Sequence, residues 1–318
     1  MKIIRAPLRV SLFGGGTDLE PFCSEHGGIA VSFAITRHIY LTWNDRPTGG
    51  CRLSYSQVEE LDTLRNAQHT LVRDVAQVHG IDEPCTLTIT SDLPKGTGLG
   101  SSSALSVALA QLVDPTLRGE SLVRQAGLSE KAVSPRVGWQ DFLPAVYGGF
   151  NTYRIDGVAM TERYELNGDG VGVTPIGGHA QAVINRYGLL LYTGMTREAK
   201  TVLGSWQKST AQLEDIKKLA EEAAHCIGVI GPVTLGRLLD QTWELKRRIS
   251  GVSDKNLDEQ YWAAIQAGAL GGKLCGAGSG GCWFFLVQPE RKPAVIDVLG
   301  LREIPFQVSE KGVRQWEI

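Results

Sequence analysis

The 318-residue chain has little that would tie it to a membrane, to nucleic acid or to an oxidising compartment. No apolar run reaches the roughly 20 residues that a membrane-spanning helix requires. The first residues are interrupted by Arg5 and Arg9 and lack the apolar core of a signal peptide. Lys and Arg number 32 against 34 Asp and Glu, a net charge of −2 with no basic block, which disfavours nucleic acid and anionic membranes as partners. The six cysteines, at positions 23, 51, 85, 226, 275 and 282, form no CxxC pair, and no Asn-x-Ser/Thr acceptor occurs. A disulfide framework or a thiolate metal site is therefore unexpected, and free thiols in a reducing cytoplasm fit best. Internal repeats and low-complexity linkers are missing too. So is the GxxxxGK[ST] loop: Lys95 precedes its glycines, and the imitation from Gly268 to Lys273 has the wrong spacing.

What the chain does have is three glycine-rich segments. Residues 94–104 read Pro-Lys-Gly-Thr-Gly-Leu-Gly-Ser-Ser-Ser-Ala and open into the helical spacing of Leu105, Val107, Ala108, Leu109 and Leu112. The preceding run, Cys85 to Ser91, alternates as a strand does. Strand, glycine loop and helix N-terminus together make an anion site, because free N–H groups and the positive dipole end converge on one point. An ordinary glycine turn with a serine cap is the plain alternative. A second segment, Gly276-Ala277-Gly278-Ser279-Gly280-Gly281, leads into the buried-strand run Cys282 to Val287, so no helix follows to receive a pyrophosphate. Alone, it reads equally well as a hairpin.

The third segment, Arg5-Ala-Pro-Leu-Arg-Val-Ser-Leu-Phe-Gly-Gly-Gly-Thr-Asp-Leu19, carries Arg9 on a short strand and presents Thr17 and Asp18 after three glycines. Taken in order, the three segments resemble the GHMP kinases: galactokinase, homoserine kinase, mevalonate kinase and phosphomevalonate kinase. The middle one matches that family's PxxxGLGSSAA motif at Pro94, Gly98, Leu99, Gly100, Ser101, Ser102 and Ala104, with Ser103 where alanine is usual. The resemblance spans essentially the whole chain. Within the family, Gly14-Gly15-Gly16-Thr17-Asp18 looks like the sugar-1-kinase branch, especially the heptose 7-phosphate kinases. Residues 138–141, 147–151, 192–197 and 312–316 support that branch. Two departures stand out: Trp139-Gln140-Asp141-Phe142-Leu143 replaces Lys-Gln-Asp-Gln-Tyr, and Ser279 replaces glycine.

Periodicity predicts strands over 2–13, 28–44, 50–55 and 85–91, and a helix over 57–79. A helix near 120–132, strands at 149–155 and 160–166, and a boundary near 175–185 follow. Strand 189–192, helices over 209–227, 232–250 and 258–268, a 273–287 hairpin, a helix from about Pro293 and two closing strands complete an α/β or α+β chain. The resemblance implies a ribosomal-S5-like N-terminal domain over 1–180 and a ferredoxin-like C-terminal domain over 181–318, with the site between them.

The implied chemistry is phosphoryl transfer from ATP with Mg²⁺, to a sugar or sugar phosphate; a homodimer is an open option. Pro94, Gly96, Gly98, Leu99, Gly100, Ser101, Ser102 and Ser103 would hold the nucleotide phosphates. Ser102, with a carboxylate for which Glu130 is the candidate, would hold the metal. Asp141 is the expected base for the anomeric hydroxyl, and Arg9 matches the catalytic arginine of galactokinases. Gly15, Gly16, Thr17, Asp18, Gly276 and Gly278 would meet the sugar, and Arg197 or Lys273 a second phosphate. As bare residues, Arg9 also reads as a surface arginine, Asp18 as a helix cap, Asp141 as a turn aspartate and Glu130 as a solvated carboxylate. Ser205 and Lys208 match an SxxK pattern, whose companion motifs are missing. Other readings are an L-fucose or other hexose 1-kinase and a catalytically silent sugar sensor.

Overall fold

The computed structural model describes residues 1–156, 160, 170–195 and 209–318. Arg197, Ser205 and Lys208 lie outside them, as does most of the strand expected at 160–166. Two sheets organise the rest. The first has eight strands: β1 (Lys2–Phe13), β2 (Gly28–Asp45), β3 (Cys51–Ser54), β4 (Val58–Leu61), β5 (Cys85–Ser91), β6 (Phe150–Ile155), β7 (Val171–Pro175) and β12 (Arg314–Glu317). Their order is β12-β1-β2-β5-β3-β4, with β6 pairing β2 and β7 pairing β6. The second has four strands, β8 (Gly188–Tyr192), β9 (Ala269–Leu274), β10 (Cys282–Val287) and β11 (Arg302–Glu303), in the order β11-β8-β10-β9.

Along the chain the helices are α1 (Phe22–His26), α2 (Thr70–His79), α3 (Ser101–Val113), α4 (Gly119–Val133), α5 (Leu143–Tyr147) and α6 (Gly178–Tyr187), then α7 (Thr210–Cys226), α8 (Pro232–Arg247), α9 (Lys255–Gln266) and α10 (Lys292–Leu299). None of them is long and apolar enough to cross a membrane.

Two hydrophobic cores meet at the second sheet. Leu190, Phe284 and Leu286 point into a core shared with α3 and β1, while Leu189, Leu191, Trp283, Phe285 and Val287 point into another with Trp243 and Tyr261. Both faces of β10 are therefore buried, and its sequence is apolar without alternation. Residue 180 lies within α6, and β12 returns to pair with β1, so the last strand belongs to the first sheet.

The helix predicted over 57–79 is corrected to three pieces: β4, a short 3₁₀ turn Leu64–Asn66, and α2. Local hydrogen bonds decide this. Thr63 caps the 3₁₀ turn, the Glu59 carboxylate accepts the Gln68 N–H at 2.8 Å, and His69 caps α2. The register of β1 on β2 shifts between Pro7 and Arg9 and again between Ser11 and Phe13. Such irregularities re-aim side chains, and here they flank the two polar residues, Arg9 and Ser11, that point into the site.

Candidate active site

The loop between β5 and α3 alternates two kinds of residue. Gly96, Gly98 and Gly100 have φ of 81°, 74° and 75°, in the left-handed region where a side chain is disfavoured. Between them Thr97 and Leu99 are fully buried and anchor the turn from inside. The glycine backbone is half-exposed, Gly100 is the residue before the first turn of α3, and Ser102 is exposed on that turn. Free N–H groups at a helix N-terminus thus face outward beside a hydroxyl.

Arg9 draws this loop to the rest of the site. It is 4% exposed, so the surface-arginine alternative is removed. Its Nε and Nη2 donate to Oδ1 of Asp141 at 3.1 and 2.6 Å, and its Nη1 donates to the Gly98 carbonyl at 2.6 Å. Its backbone N–H donates to the Leu99 carbonyl at 2.9 Å. One guanidinium therefore fixes both Asp141 and the glycine loop. A Cβ on Gly100 would stand 3.0 Å from Arg9 Cγ, so the glycine also makes room for that side chain. Asp141 ends the 3₁₀ turn Trp139–Asp141 and keeps about a quarter of its side chain open.

Behind Asp141 lies a buried network. Asp18 has no exposed surface; its Oδ1 accepts from the Gly16 N–H at 2.9 Å and from Gln140 Nε2 at 3.0 Å, and its Oδ2 accepts from the Gln140 N–H at 3.0 Å. Burial, with the nearby Asp141 charge, pushes the Asp18 carboxyl up, and those N–H bonds oppose the shift. Ser11 Oγ donates to Gln140 Oε1 at 2.7 Å, completing the partners of that side chain. A Cβ at Gly138 would sit 1.9 Å from Asp18 Oδ2, so the residue before Trp139 has no room for a side chain.

The expectation that Asp18 and Thr17 touch sugar hydroxyls is corrected here. Asp18 is closed off and holds the 138–141 turn, and it does not cap a helix. Thr17, also fully buried, donates to the carbonyls of Gly14 and Ile29, both at 2.9 Å, and accepts the Ile29 N–H at 3.0 Å. In the Gly14–Asp18 turn only Gly15 is half-open, and Gly16 is buried with φ 103°.

Glu130 sits 4% exposed on α4, not on a solvated face. Its Oε2 accepts from Ser106 Oγ at 2.8 Å, and the Ser102 and Ser103 side chains also hydrogen-bond it. Burial pushes its carboxyl up, the serine bonds pull it back, and the Asp141 charge adds to the rise. A buried carboxylate beside the Ser102 hydroxyl is a hard-oxygen donor set suited to Mg²⁺. Among the described residues no three His, Cys, Asp or Glu side chains gather into a metal site, so a metal here would rest on Glu130, Ser102 and phosphate oxygens.

The late glycine segment behaves differently from its expected role. A Cβ on Gly276 would lie 2.6 Å from Gly98 Cα, one on Gly278 2.8 Å from the Val252 carbonyl, and one on Gly281 2.5 Å from the Thr97 carbonyl. These glycines let backbone meet backbone: Gly276 and Gly281 pack against the 96–100 loop, and Gly278 against Val252. Their expected contact with substrate is corrected accordingly for Gly278, which is buried; Gly276 stays half-open. Ser279 takes φ 60°, in the left-handed region.

Lys273 is also corrected. It is 2% exposed, and its Nζ donates to the carbonyls of Ser11 and Leu12 at 2.8 and 3.1 Å, so it cannot reach a substrate phosphate. Gln140, Ser11 and Ser106 were not expected as site residues. Gln140 had a signal, its place inside the Gly-Trp-Gln-Asp segment; the two serines had none beyond lying one helical turn or one strand repeat from Ser102 and Arg9.

Comparison with known proteins places this geometry. The descriptions "GHMP kinases N terminal domain" and "GHMP kinases C terminal" match residues 64–149 and 230–300. The chain is 30% identical to D-glycero-alpha-D-manno-heptose 7-phosphate kinase of Campylobacter jejuni, covering 100% of both proteins. It is 32% identical to mevalonate kinase of Thermococcus onnurineus over 82% of this chain and 76% of that protein. The crystal structure of a D-glycero-D-manno-heptose 1-phosphate kinase from Bacteroides thetaiotaomicron superposes with a TM-score of 0.78 at 22% identity, over 100% of this chain and 99% of that one, a likeness of fold. The chain belongs to the GHMP kinase family. It is a two-domain ATP-dependent phosphotransferase of the kind that includes the sugar kinases.

Proposed function

We propose that this protein transfers the γ-phosphoryl group of ATP to the anomeric hydroxyl of a sugar, with D-glycero-D-manno-heptose 7-phosphate the preferred acceptor. The observation that carries this reading is the Arg9 bridge, which brings an open carboxylate, Asp141, against the half-exposed glycine loop. In this reading residues 1–180 hold nucleotide and sugar, and 181–318 supply the segment that closes on the loop.

The residues divide the work as follows. The N–H groups of 96–102 bind the phosphates, with Pro94 shaping the entry and Ser101 and Ser103 completing the helix turn. Ser102 and Glu130 hold Mg²⁺, which when bound neutralises charge on the phosphates. Asp141 accepts the proton of the attacking hydroxyl, an effect worth about 10²–10⁴ in rate. Arg9 fixes the direction of Asp141 through the two hydrogen bonds it donates to Oδ1. Gly15, the open point of its turn, faces the sugar, and the Asp18–Gln140 pair positions Asp141.

One observation favours a second reading. Lys273 is withdrawn from any distal phosphate, which leaves Arg197 as the remaining candidate cation. An unphosphorylated hexose or heptose would need neither cation. A coupled ADP-release assay across heptose 7-phosphate, free heptoses, L-fucose, mannose and N-acetylhexosamines separates the two. Turnover confined to the phosphorylated heptose supports the first reading, and turnover confined to free sugars replaces it with the second. Binding of ATP and sugar without any ADP release overturns both in favour of a silent sensor.

A further inference from the structure

Two lysines lie beneath the glycine segments and have no role in the reaction as assigned above. Lys246, in the last turn of α8, is 5% exposed; its Nζ donates to the Gly276 carbonyl and reaches the Leu274 carbonyl at 3.4 Å. Lys273, on β9, donates to the carbonyls of Ser11 and Leu12. Cys275, fully buried, lies beside both amines, and burial pushes its thiol up. Among the described residues neither amine has an ion pair. The charged groups bearing on Lys246 are Arg9 and Asp141, with Lys273 beside it, and Asp141 already accepts two bonds from Arg9. Arg9 and Lys246 thus both bear on the one carboxylate of Asp141, while burial and the neighbouring Lys246 push the Lys273 ammonium down.

The connections lead straight to the nucleotide loop. Lys246 holds Gly276, whose backbone rests on Gly98, and Gly98 is held from the other side by Arg9. Lys273 holds β1 two and three residues beyond Arg9. An uncompensated ammonium is costly to bury, and a site that receives a polyanion relieves that cost. We propose that Lys246 is a proton-linked positioning residue: nucleotide phosphates bound at residues 96–102 draw a proton onto its amine, which tightens its bond to Gly276 and seats the late glycine segment against the loop. This rests on the nucleotide site proposed above.

The proton balance is simple. Burial lowers the Lys246 ammonium to about 8; the adjacent Cys275 opposes that fall, the positive charge of Arg9 adds to it, and Asp141 opposes it. Near pH 8 the free enzyme therefore holds Lys246 as a mixture of amine and ammonium. Negative charge arriving nearby favours the ammonium, so the proton comes from solvent on binding and returns on release. A charged donor to a carbonyl makes a stronger bond than a neutral one.

The test is isothermal titration of the full chain with a nonhydrolysable ATP analogue and Mg²⁺ at pH 8, in Tris and in HEPES, whose ionisation enthalpies differ. The expected result is a buffer-dependent heat that corresponds to net proton uptake, with about half a proton per site as the ceiling for a group half-titrated at that pH. Lys246→Arg, which keeps the charge but does not titrate, retains affinity within about threefold and loses most of the uptake. Lys246→Met loses both, weakening binding by about tenfold, and its affinity no longer varies between pH 7 and 9. Equal heats in the two buffers, or unchanged uptake in Lys246→Arg, overturn the inference while leaving the nucleotide site standing. No binding heat in the wild type overturns the nucleotide site itself, and this inference with it.

Discussion

The segments at 96–100 and 276–281 look alike in sequence and do opposite things in the fold. In the first, three glycines with φ of 74° to 81° keep a half-exposed backbone while Thr97 and Leu99 anchor it from within. In the second, Gly278, Gly280 and Gly281 are buried, and Cβ atoms there would strike Val252, Met195 and Thr97 at 2.5–3.1 Å. The first loop keeps a half-exposed backbone at a helix N-terminus even though Gly98 and Gly100 also make room for Cys275 and Arg9, whereas the second is packed against the first. Glycine content cannot separate these uses, because either kind of close approach excludes Cβ. The distinction comes from what surrounds each loop: a helix N-terminus and a bridged carboxylate in one case, packed strands in the other.

The hardest test of that contrast is at the ligand-facing loop's own partner. Asp141→Asn should lower kcat by about 10²–10⁴ while nucleotide affinity moves less than about threefold, since the loop is held by the Arg9–Gly98 bond as well. Steady-state ADP release together with a nucleotide titration checks this, and an unchanged kcat would assign the proton to another group. Next come the paired glycines. Gly98→Ala strains a left-handed position and drives Cβ into the Cys275 carbonyl at 2.5 Å. It should raise KM for ATP by about tenfold or more, given that a displacement near 1 Å can cost 10² in rate. Gly278→Ala should instead act on stability, lowering it by about 1–3 kcal/mol through strain and crowding, with KM for ATP within about twofold in the folded fraction. Thermal unfolding and kinetics on both variants decide it; the same pattern in the two would erase the contrast.

A smaller and opposite-signed effect is expected at Glu130. Its carboxyl is raised by burial, so the protonated form is favoured by folding. For a group raised in the folded state, that stabilisation is present below the unfolded value and is lost as pH rises through the folded one. The metal-free enzyme should therefore gain stability on acidification just above the ordinary glutamate range, and Glu130→Gln should remove that gain. The same substitution should raise the metal-free Tm at pH 8 by about 2 °C, yet raise the Mg²⁺ needed for half-maximal rate by about tenfold. Melting curves with and without Mg²⁺ check both signs. A lower Tm would make Glu130 a structural partner of Ser102, Ser103 and Ser106 alone.

Much of the fold was legible because it rests on local signals. The alternation of Cys85 to Ser91, the glycine loop and the apolar spacing of α3 survive intact, as does the β9–β10 hairpin. Residues 57–79 misled because Val58 to Leu61 fit a helical spacing while their backbone partners lie on β3, a pairing no local pattern reveals. At the site, Arg9, Ser102, Glu130 and Asp141 come together as the motif order suggested. What sequence could not show is direction and depth. Asp18, Thr17 and Lys273 are chemically apt ligands that the fold turns inward, and each is satisfied by backbone partners brought from 12 to 262 residues away. Lys246 is invisible for the same reason: an amphipathic helix ending in Lys246 and Arg247 reads as a solvated terminus.

The mildest test lies at the one non-glycine residue that the described chain holds in the left-handed region. Ser279, at φ 60°, sits between buried glycines, with its N–H donating to the Val252 carbonyl at 2.8 Å and its hydroxyl to the Gly251 carbonyl. The left-handed backbone costs a residue with Cβ about 1–2 kcal/mol, and glycine would remove that cost. Glycine also forfeits the Oγ–Gly251 bond, worth about 1 kcal/mol, and adds freedom to the unfolded chain. These contributions oppose one another at similar size, so Ser279→Gly should change stability by less than about 1 kcal/mol. Ser279 approaches Val252 and Gly251 rather than the phosphate loop, so KM for ATP should also stay within about 1.5-fold. A several-fold change in KM, measured beside the unfolding curve, would mean that the buttressing segment reaches the nucleotide after all, and the division of labour between the two glycine loops would have to be redrawn.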